Sequence, residues 1–336
     1  NHTMLKVLHV GLGPLGQRIV KDLYDRKVGK VVEAVDINPD LTGKPLSKAV
    51  AGVKSSTKIK ASLNDITNWG GFDVAIVTTA SDLRNCADTF RTILKAGVPI
   101  VSTCEELVWP WLRHKKLANE LDTIAKRSES MLLGTGVNPG FLMDAAAVFA
   151  TTPCKSVDSM EIHRIQDATT RRIPFQKKIG ATLDDAAFKA GIKAGWLRHV
   201  GLGESLFFVA NAMGWKIDSW SETIEPVKAT KAMSCGLGAI KKGNACGVRQ
   251  VAIGKSKGKT VLKFIFQAAI GQKDPAPGDR VIVTGEPKIS MAFEGGVHGD
   301  IATSSITINS IKPLLSAKPG LHTMATIPLV HFTRGK

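Results

Sequence analysis

Gly11, Gly13 and Gly16, in the hexapeptide GLGPLG, follow directly on the apolar run Leu5 to Val10 and open a stretch in which Ile19, Val20 and Leu23 recur at helical spacing. A strand that turns through glycines into a helix reads as the first half of a parallel βαβ unit. The three glycines serve different ends. Gly11 permits the tight turn, Gly13 lets backbone N–H groups approach a pyrophosphate at the positive helix end, and Gly16 lets helix and strand pack closely. Pro14 and Leu15 complete the same cofactor loop. Asp36 stands twenty residues after Gly16, where its carboxylate can accept hydrogen bonds from ribose hydroxyls and repel a 2′-phosphate. These features predict a dinucleotide site that favours NAD and leaves NADP open, since Lys44 can soften the repulsion. The plain alternative for Asp36 is a turn residue at a strand end.

The first 140 residues keep this grammar. Val31 to Ile37, Asp73 to Thr79, Val98 to Thr103 and Met131 to Gly134 read as further strands, and Leu83, Ala87, Phe90, Ile93 and Leu94 mark a helix that stops at Gly97. The alternation predicts an α/β Rossmann domain, a doubly wound parallel sheet, over residues 1–142. Beyond about Ala150 the β-rich runs Val157 to Ile165, Val248 to Gly254, Thr260 to Ile270 and Arg280 to Thr284 succeed one another, with Lys255 to Lys259 as the clearest hairpin turn. A second α+β domain with a mostly antiparallel sheet is expected over residues 143–297. Helical patches interrupt it near Asp184 to Ala194 and Ser205 to Met213. Residues 298–336 are expected to return to the first domain through a helix from Ile301 to about Leu315.

At 336 residues, with 43% apolar and 22% charged side chains, the chain has enough material for two cores and none of the signature of disorder. Forty-five Lys and Arg against twenty-nine Asp and Glu leave a net charge of +16, which favours anionic partners. The lysines are dispersed and aromatic residues are only 6%, so neither a basic stripe nor a stacking platform for nucleic acid stands out. No apolar stretch approaches the roughly eighteen residues of a membrane span, and a cytoplasmic location without a membrane partner is expected. Asn1, His2 and Thr3 before Met4 read as a vector remnant. Five scattered cysteines without a CxxC pair read as reduced thiols.

In an open α/β sheet chemistry gathers beyond the carboxyl ends of the strands. There the chain carries Thr79 and Ala80, the segment Ser102-Thr103-Cys104-Glu105-Glu106, and the run GTGVNPGF from Gly134 to Phe141. With Thr103 as N-cap, Glu106 completes a capping box, which leaves Glu105 as a carboxylate able to hold an ammonium or iminium group or to exchange a proton with it. An acid in a first helical turn also complements the helix dipole without further purpose. Cys104 invites an acyl-enzyme reading, but no base is recognisable for it and a buried structural thiol is the simpler account. Asn138 and Pro139 suggest a rigid loop beside the nicotinamide, with Asn138 reaching the carboxamide or the substrate; a tight turn before a helix uses the same residues.

The segments GLGPLG, STCEEL with Trp109-Pro110-Trp111, GTGVNPGFLMD, RRIPFQKKIG and GGVHGDIATSSITINSI resemble those of the 2,4-diaminopentanoate dehydrogenases and the related native amine dehydrogenases. The resemblance spans both expected domains. That family is similar in fold to dihydrodipicolinate reductase, whose paired-histidine and lysine motif is absent here. What the resemblance implies is NAD(P)-dependent oxidative deamination of an amine, reversible as reductive amination of a ketone or aldehyde with ammonia, without a metal and by a homodimer. It implies a catalytic glutamate in the TCEE segment, Glu105 first and Glu106 in reserve, and a substrate resembling 2,4-diaminopentanoate. It also points to Phe141, Phe175, His199 and His298 as pocket lining, while Arg171-Arg172, by its own chemistry, could bind a substrate carboxylate bidentately. Each of these has an ordinary core or surface alternative, and the histidines form no HxxxH-type metal pair. The rival readings are a reductase of another C=N or C=O substrate on the same fold, and a nucleic-acid binder or nucleotide sensor.

Overall fold

Successive residues of the first strand, β1 (Leu5–Val10), face opposite ways: Val7 belongs to one buried cluster and Leu8 to another. The same division separates Ile76 from Val77, Val101 from Ile100 and Leu133 from Leu132, so both faces of the sheet need covering. Numbered in chain order, the other strands of this parallel sheet are β2 (Gly29–Val35), β3 (Ile59–Lys60), β4 (Val74–Val77), β5 (Ile100–Ser102), β6 (Met131–Gly134) and β15 (Gly320–His322). One face is covered by α1 (Pro14–Asp25), α2 (Leu46–Ala49), α9 (Gly299–Asn309) and α10 (Ile311–Leu315), the other by α3 (Leu83–Lys95) and α4 (Lys115–Arg127). The strand order β15-β6-β5-β4-β1-β2-β3 reverses direction between β1 and β4. Connections leave that point toward opposite faces, which opens a crevice at the carboxyl ends.

This computed structural model describes residues 3–335, which form two units, 3–141 with 298–335, and Leu142–Val297. Both sheets take the form that the alternation of strands and helices predicts. Details differ in the first unit. β2 stops at Val35 rather than Ile37, because the Asp36 carboxylate turns the chain by accepting the Asn38 N–H at 2.8 Å. The helix expected from Ile301 to Leu315 breaks at Ser310, where the Ser310 hydroxyl bonds back to the Ile306 carbonyl at 2.7 Å. Pro313 lacks the N–H that would have continued the ladder to Asn309.

The second unit carries a six-stranded sheet in the order β14-β13-β7-β12-β11-β8. Its strands are β7 (Ser156–Asp167), β8 (Ser219–Lys228), β11 (Ala245–Ser256), β12 (Lys259–Ala269), β13 (Gly278–Glu286) and β14 (Ile289–Glu294), while β9 (Met233–Cys235) and β10 (Gly238–Ile240) form a separate ribbon. Pairing is antiparallel throughout except between β7 and β12. The hairpin between β11 and β12 turns on Lys257 and Gly258 at φ 50° and 75°, the left-handed pair that matches strand twist. Helices α5 (Ala145–Ala150), α6 (Ile173–Lys178), α7 (Asp185–Ala194) and α8 (Leu202–Met213) complete the unit. Among the described residues, no helix is long and apolar enough to cross a membrane.

Arg164 on β7 is the largest fully buried side chain. Its Nη1 donates to both Asp279 oxygens at 2.8 and 2.9 Å, and its Nη2 donates to the Val297 carbonyl at 3.2 Å. Removing one member of such a pair strands a charge in a low-dielectric interior. Asp279→Ala is expected to destabilise the protein by about 3–5 kcal/mol, read by denaturant unfolding.

Candidate active site

The glycine loop is held open on one side and closed on the other. At Gly11, with φ 99°, an added Cβ would lie 2.5 Å from the Thr78 carbonyl oxygen, and at Gly16 it would lie 2.0 Å from that of Gly11. At Gly13 it would meet nothing within 4 Å. Gly13 is also the N-cap of α1 and supplies no side-chain cap, so the first N–H groups of the helix face open space. Pro14 takes the first helical position, where no N–H is needed, and Leu15 packs against the neighbouring core. This is a cradle for an anion such as a pyrophosphate.

Beneath the loop, the Gly11 carbonyl accepts the Thr78 hydroxyl at 2.9 Å and the His9 ring at 2.7 Å through Nε2. Burial pushes the His9 pKa down to about 4, so the ring is neutral near pH 7 and its hydrogen sits on Nε2. Sequence reasoning missed His9, whose place in an apolar run gives no sign of its bond.

A crevice of about 530 Å³ runs along this edge, lined among others by Asp36, Ile37, Ser62, Leu63, Asn85 and Asp88. Asp36 accepts the Leu12 N–H at 2.5 Å, tying the strand end to the glycine loop. Ile37 is 91% exposed at the crevice, an apolar surface without a protein partner to justify it. Thr79 lines the same crevice, whereas Ala80 contributes its carbonyl, which accepts the Cys86 thiol at 3.6 Å. The Ser62 to Asn64 segment was missed; its one local sign is the Ser62 hydroxyl accepting the Asn64 N–H at 3.1 Å.

At the end of β5 the expected capping box does not form. Glu105–Val108 is a single 3-10 turn with Cys104, not Thr103, as its N-cap. The Glu106 carboxylate reaches elsewhere: its Oε1 accepts the Leu83 N–H at the start of α3 and the His114 Nε2, each at 2.8 Å. Glu105 is half-buried in the same turn. Cys104 is 1% exposed and donates its thiol to the Ser81 carbonyl at 3.3 Å. Its hydrogen bond to Cys86 and its burial both push that thiol above its ordinary range, which disfavours a nucleophilic role.

The loop after β6 is pinned by the Val137 N–H on the Thr303 hydroxyl at 3.1 Å. Both amide atoms of Asn138 are closed off from solvent without a hydrogen-bond partner, and so is the Thr135 hydroxyl. Pro139 is buried behind them and Phe141 half-buried beyond. Unsatisfied buried polar groups are costly, and three of them on one loop at the cofactor edge mark where an amide-bearing ligand would find partners.

His298 is exposed and caps α9, its Nδ1 accepting the Ile301 N–H at 3.4 Å. In the second unit, the Arg171 guanidinium lies 3.9 Å from the Phe175 ring centre while its Nη1 donates to Gln166 at 2.6 Å. Arg164 donates to the same Gln166 oxygen at 3.3 Å, so Arg171 and Phe175 belong to one connected patch. His199 stacks on Phe266 at 4.4 Å and is fixed through its backbone by Gln250. Burial, and then Lys178, Arg164 and Arg198, push its pKa down to about 3. It is a neutral ring near pH 7, not a proton carrier. Among the described residues, no group of three or more His, Cys, Asp or Glu side chains could hold a metal ion.

Two expectations follow from the loop. Gly13→Ala should leave unliganded stability within about 1 kcal/mol yet weaken NADH binding, whereas Gly16→Ala should cost about 3 kcal/mol through backbone overlap; thermal unfolding and NADH titration separate the two. His9 adds a pH dependence. Its stabilisation is fully present above the unfolded value and is lost as pH falls toward about 4. Between pH 7 and pH 5 the loss is about 2 kcal/mol, and His9→Gln, which keeps a donor for Gly11, should flatten that part of the stability curve.

The description 2,4-diaminopentanoate dehydrogenase C-terminal domain fits residues 141–336 of this chain. The 2,4-diaminopentanoate dehydrogenase of Acetoanaerobium sticklandii is 28% identical over 337 residues, covering 97% of this chain and 94% of that protein. Among solved structures, the amine dehydrogenase from Mycobacterium smegmatis matches with a TM-score of 0.85 at 18% identity, over 100% of this chain and 99% of that one. The dihydrodipicolinate reductase of a Paenisporosarcina species shares the fold more loosely, with a TM-score of 0.52 at 11% identity over 95% and 97% of the two chains. The chain belongs to the 2,4-diaminopentanoate dehydrogenase family.

Proposed function

We propose that this oxidoreductase interconverts a primary amine with its ketone or aldehyde and ammonia, using NAD in preference to NADP, on a substrate resembling 2,4-diaminopentanoate. The observation that carries the reading is the open cradle at Gly13, set on the same sheet edge as the Glu105 turn, in a chain of this family. The free N–H groups of α1 would hold the pyrophosphate, and Asp36 the adenosine ribose. Ile37 offers the adenine an apolar surface. The residues lining the crevice include the carboxylates of Asp36 and Asp88 and no Lys or Arg, so a 2′-phosphate would meet two negative charges with no cation to offset them. Lys44, which could have done so, is not among the lining residues. The WlbA dehydrogenase of Bordetella pertussis, solved with NADH and UDP-GlcNAcA, shares the fold with a TM-score of 0.54 at 12% identity over 93% of this chain and 89% of that one, and supports a nicotinamide cofactor.

A bound nicotinamide supplies the hydride acceptor or donor. Asn138 and Thr135 would orient its carboxamide. In the deaminating direction the Glu105 carboxylate takes a proton from the substrate ammonium, freeing the nitrogen lone pair to stabilise the cation left as the hydride departs. Water then adds to the iminium carbon and ammonia leaves. Arg171, steadied by Phe175 and Gln166, would supply the positive charge that pairs with a substrate carboxylate. Phe141 would present ring surface to the substrate, and His298 would act through the helix it caps. The protein would be a cytoplasmic homodimer. Its contact would use the sheet face carrying Glu161, Lys263 and Ile253 in one row and His163, Ile265 and Val251 in the next.

The test is NADH oxidation with a panel of ketones and aldehydes, with and without ammonia, repeated with NADPH. Turnover should require ammonia and favour NADH. Glu105→Ala should lower it by about 100-fold or more while NADH still binds. Ammonia-independent turnover would instead identify a carbonyl reductase, and full activity in Glu105→Ala would remove that residue from the chemistry.

A further inference from the structure

The glutamate next to Glu105 is engaged by the protein itself. Glu106 has a side chain only 12% exposed, and one oxygen, Oε1, accepts both the Leu83 N–H and the His114 Nε2 at 2.8 Å. Its own N–H donates to the Ser81 carbonyl at 3.2 Å, the carbonyl that also receives the Cys104 thiol at 3.3 Å. Three segments therefore meet at one residue: the turn from β4 into α3, the turn after β5, and His114 at the head of α4. Asp82 caps α3 by accepting the Asn85 N–H at 3.0 Å, so Glu106 supplies a second acceptor to helix donors that would otherwise lack one.

We infer that Glu106 is a positioning residue, which clamps the Cys104–Glu105 backbone to the cofactor edge of β4 so that the Glu105 carboxylate meets the substrate nitrogen in one geometry. This rests on Glu105 being the group that touches substrate. The clamp needs an acceptor oxygen and the reach of a glutamate, but not acidity. Both hydrogen bonds fall on Oε1, so the carbonyl oxygen of a glutamine reproduces them; what the exchange gives up is the charge and with it the looser ion pair of Oε2 with Arg113 Nε at 3.8 Å. A proton carrier would not survive that exchange.

Glu106→Gln, Glu106→Ala, Glu105→Gln and Glu105→Ala, each in the full chain, are compared for kcat, KM, NADH affinity and thermal unfolding. Glu106→Gln should keep kcat within about 3-fold, while Glu106→Ala should lose about 30-fold in kcat, as a misplaced catalytic group does, with NADH affinity and carbonyl KM nearly unchanged. Glutamine should rescue alanine at position 106 and fail to do so at position 105. A folded but inactive Glu106→Gln, or wild-type kcat in Glu106→Ala, overturns the inference alone. Activity in Glu105→Gln overturns the reading of Glu105 and the inference with it. If Glu106→Ala does not fold, Glu106→Gln decides: active at wild-type thermal stability supports the clamp, and inactive at that stability overturns it.

Discussion

The carbonyl oxygen of Gly11 has no room left around it, and the cofactor edge takes its form from that crowding. It receives hydrogen bonds from His9 beneath and Thr78 beside it, and the Cα of Gly16 sits where one more carbon would overlap it at 2.0 Å. With α1 docked that closely, its start has no side-chain cap and stands beside Gly13, where an added Cβ would meet nothing within 4 Å. Asp36 fixes the far side of the loop through Leu12. The arrangement requires a neutral His9, and the surrounding core enforces it by excluding water from the ring.

Two adjacent acids show how environment, not residue type, divides labour. Glu106 is engaged by a helix start and an imidazole on one oxygen and by Arg113 at 3.8 Å on the other, contacts that suit a structural tie. Cys86 and Cys104 answer to the same logic, because their thiols are directed at the Ala80 and Ser81 carbonyls of the β4 turn. Tight packing under the Glu105 turn gives it a rigid floor, as the proton-handling role proposed for that carboxylate requires.

Local features were legible in the sequence. β1 and β6 run over the expected residues because their apolar runs are bounded by glycine turns, and the left-handed Lys257-Gly258 hairpin is visible in composition. Elements defined by distant partners were not. β3 has two residues and β15 three, and each exists as a strand only through its neighbour in the sheet. Glu106 misled for the same reason: a capping box assumes a partner three residues away, whereas the true partner, Leu83, lies 23 residues upstream. The orphaned amide of Asn138 and the depressed pKa of His199 depend on what surrounds them in space, which spacing along the chain does not encode.

The pairing of β15 with β6 carries a consequence for synthesis. Residues 320–322 and the α9 and α10 side chains Ile308, Ile311 and Leu314, which help fill the core under β1, leave the ribosome after the whole second unit. Until then the nascent Rossmann sheet has an unpaired edge and a partly bare face. Within the second unit β7 likewise waits for β12, its parallel neighbour, to emerge. Such late closure is slow and leaves sticky surfaces open to other chains. Closing the Rossmann sheet and covering that face therefore depend on segments that follow the whole second unit along the chain.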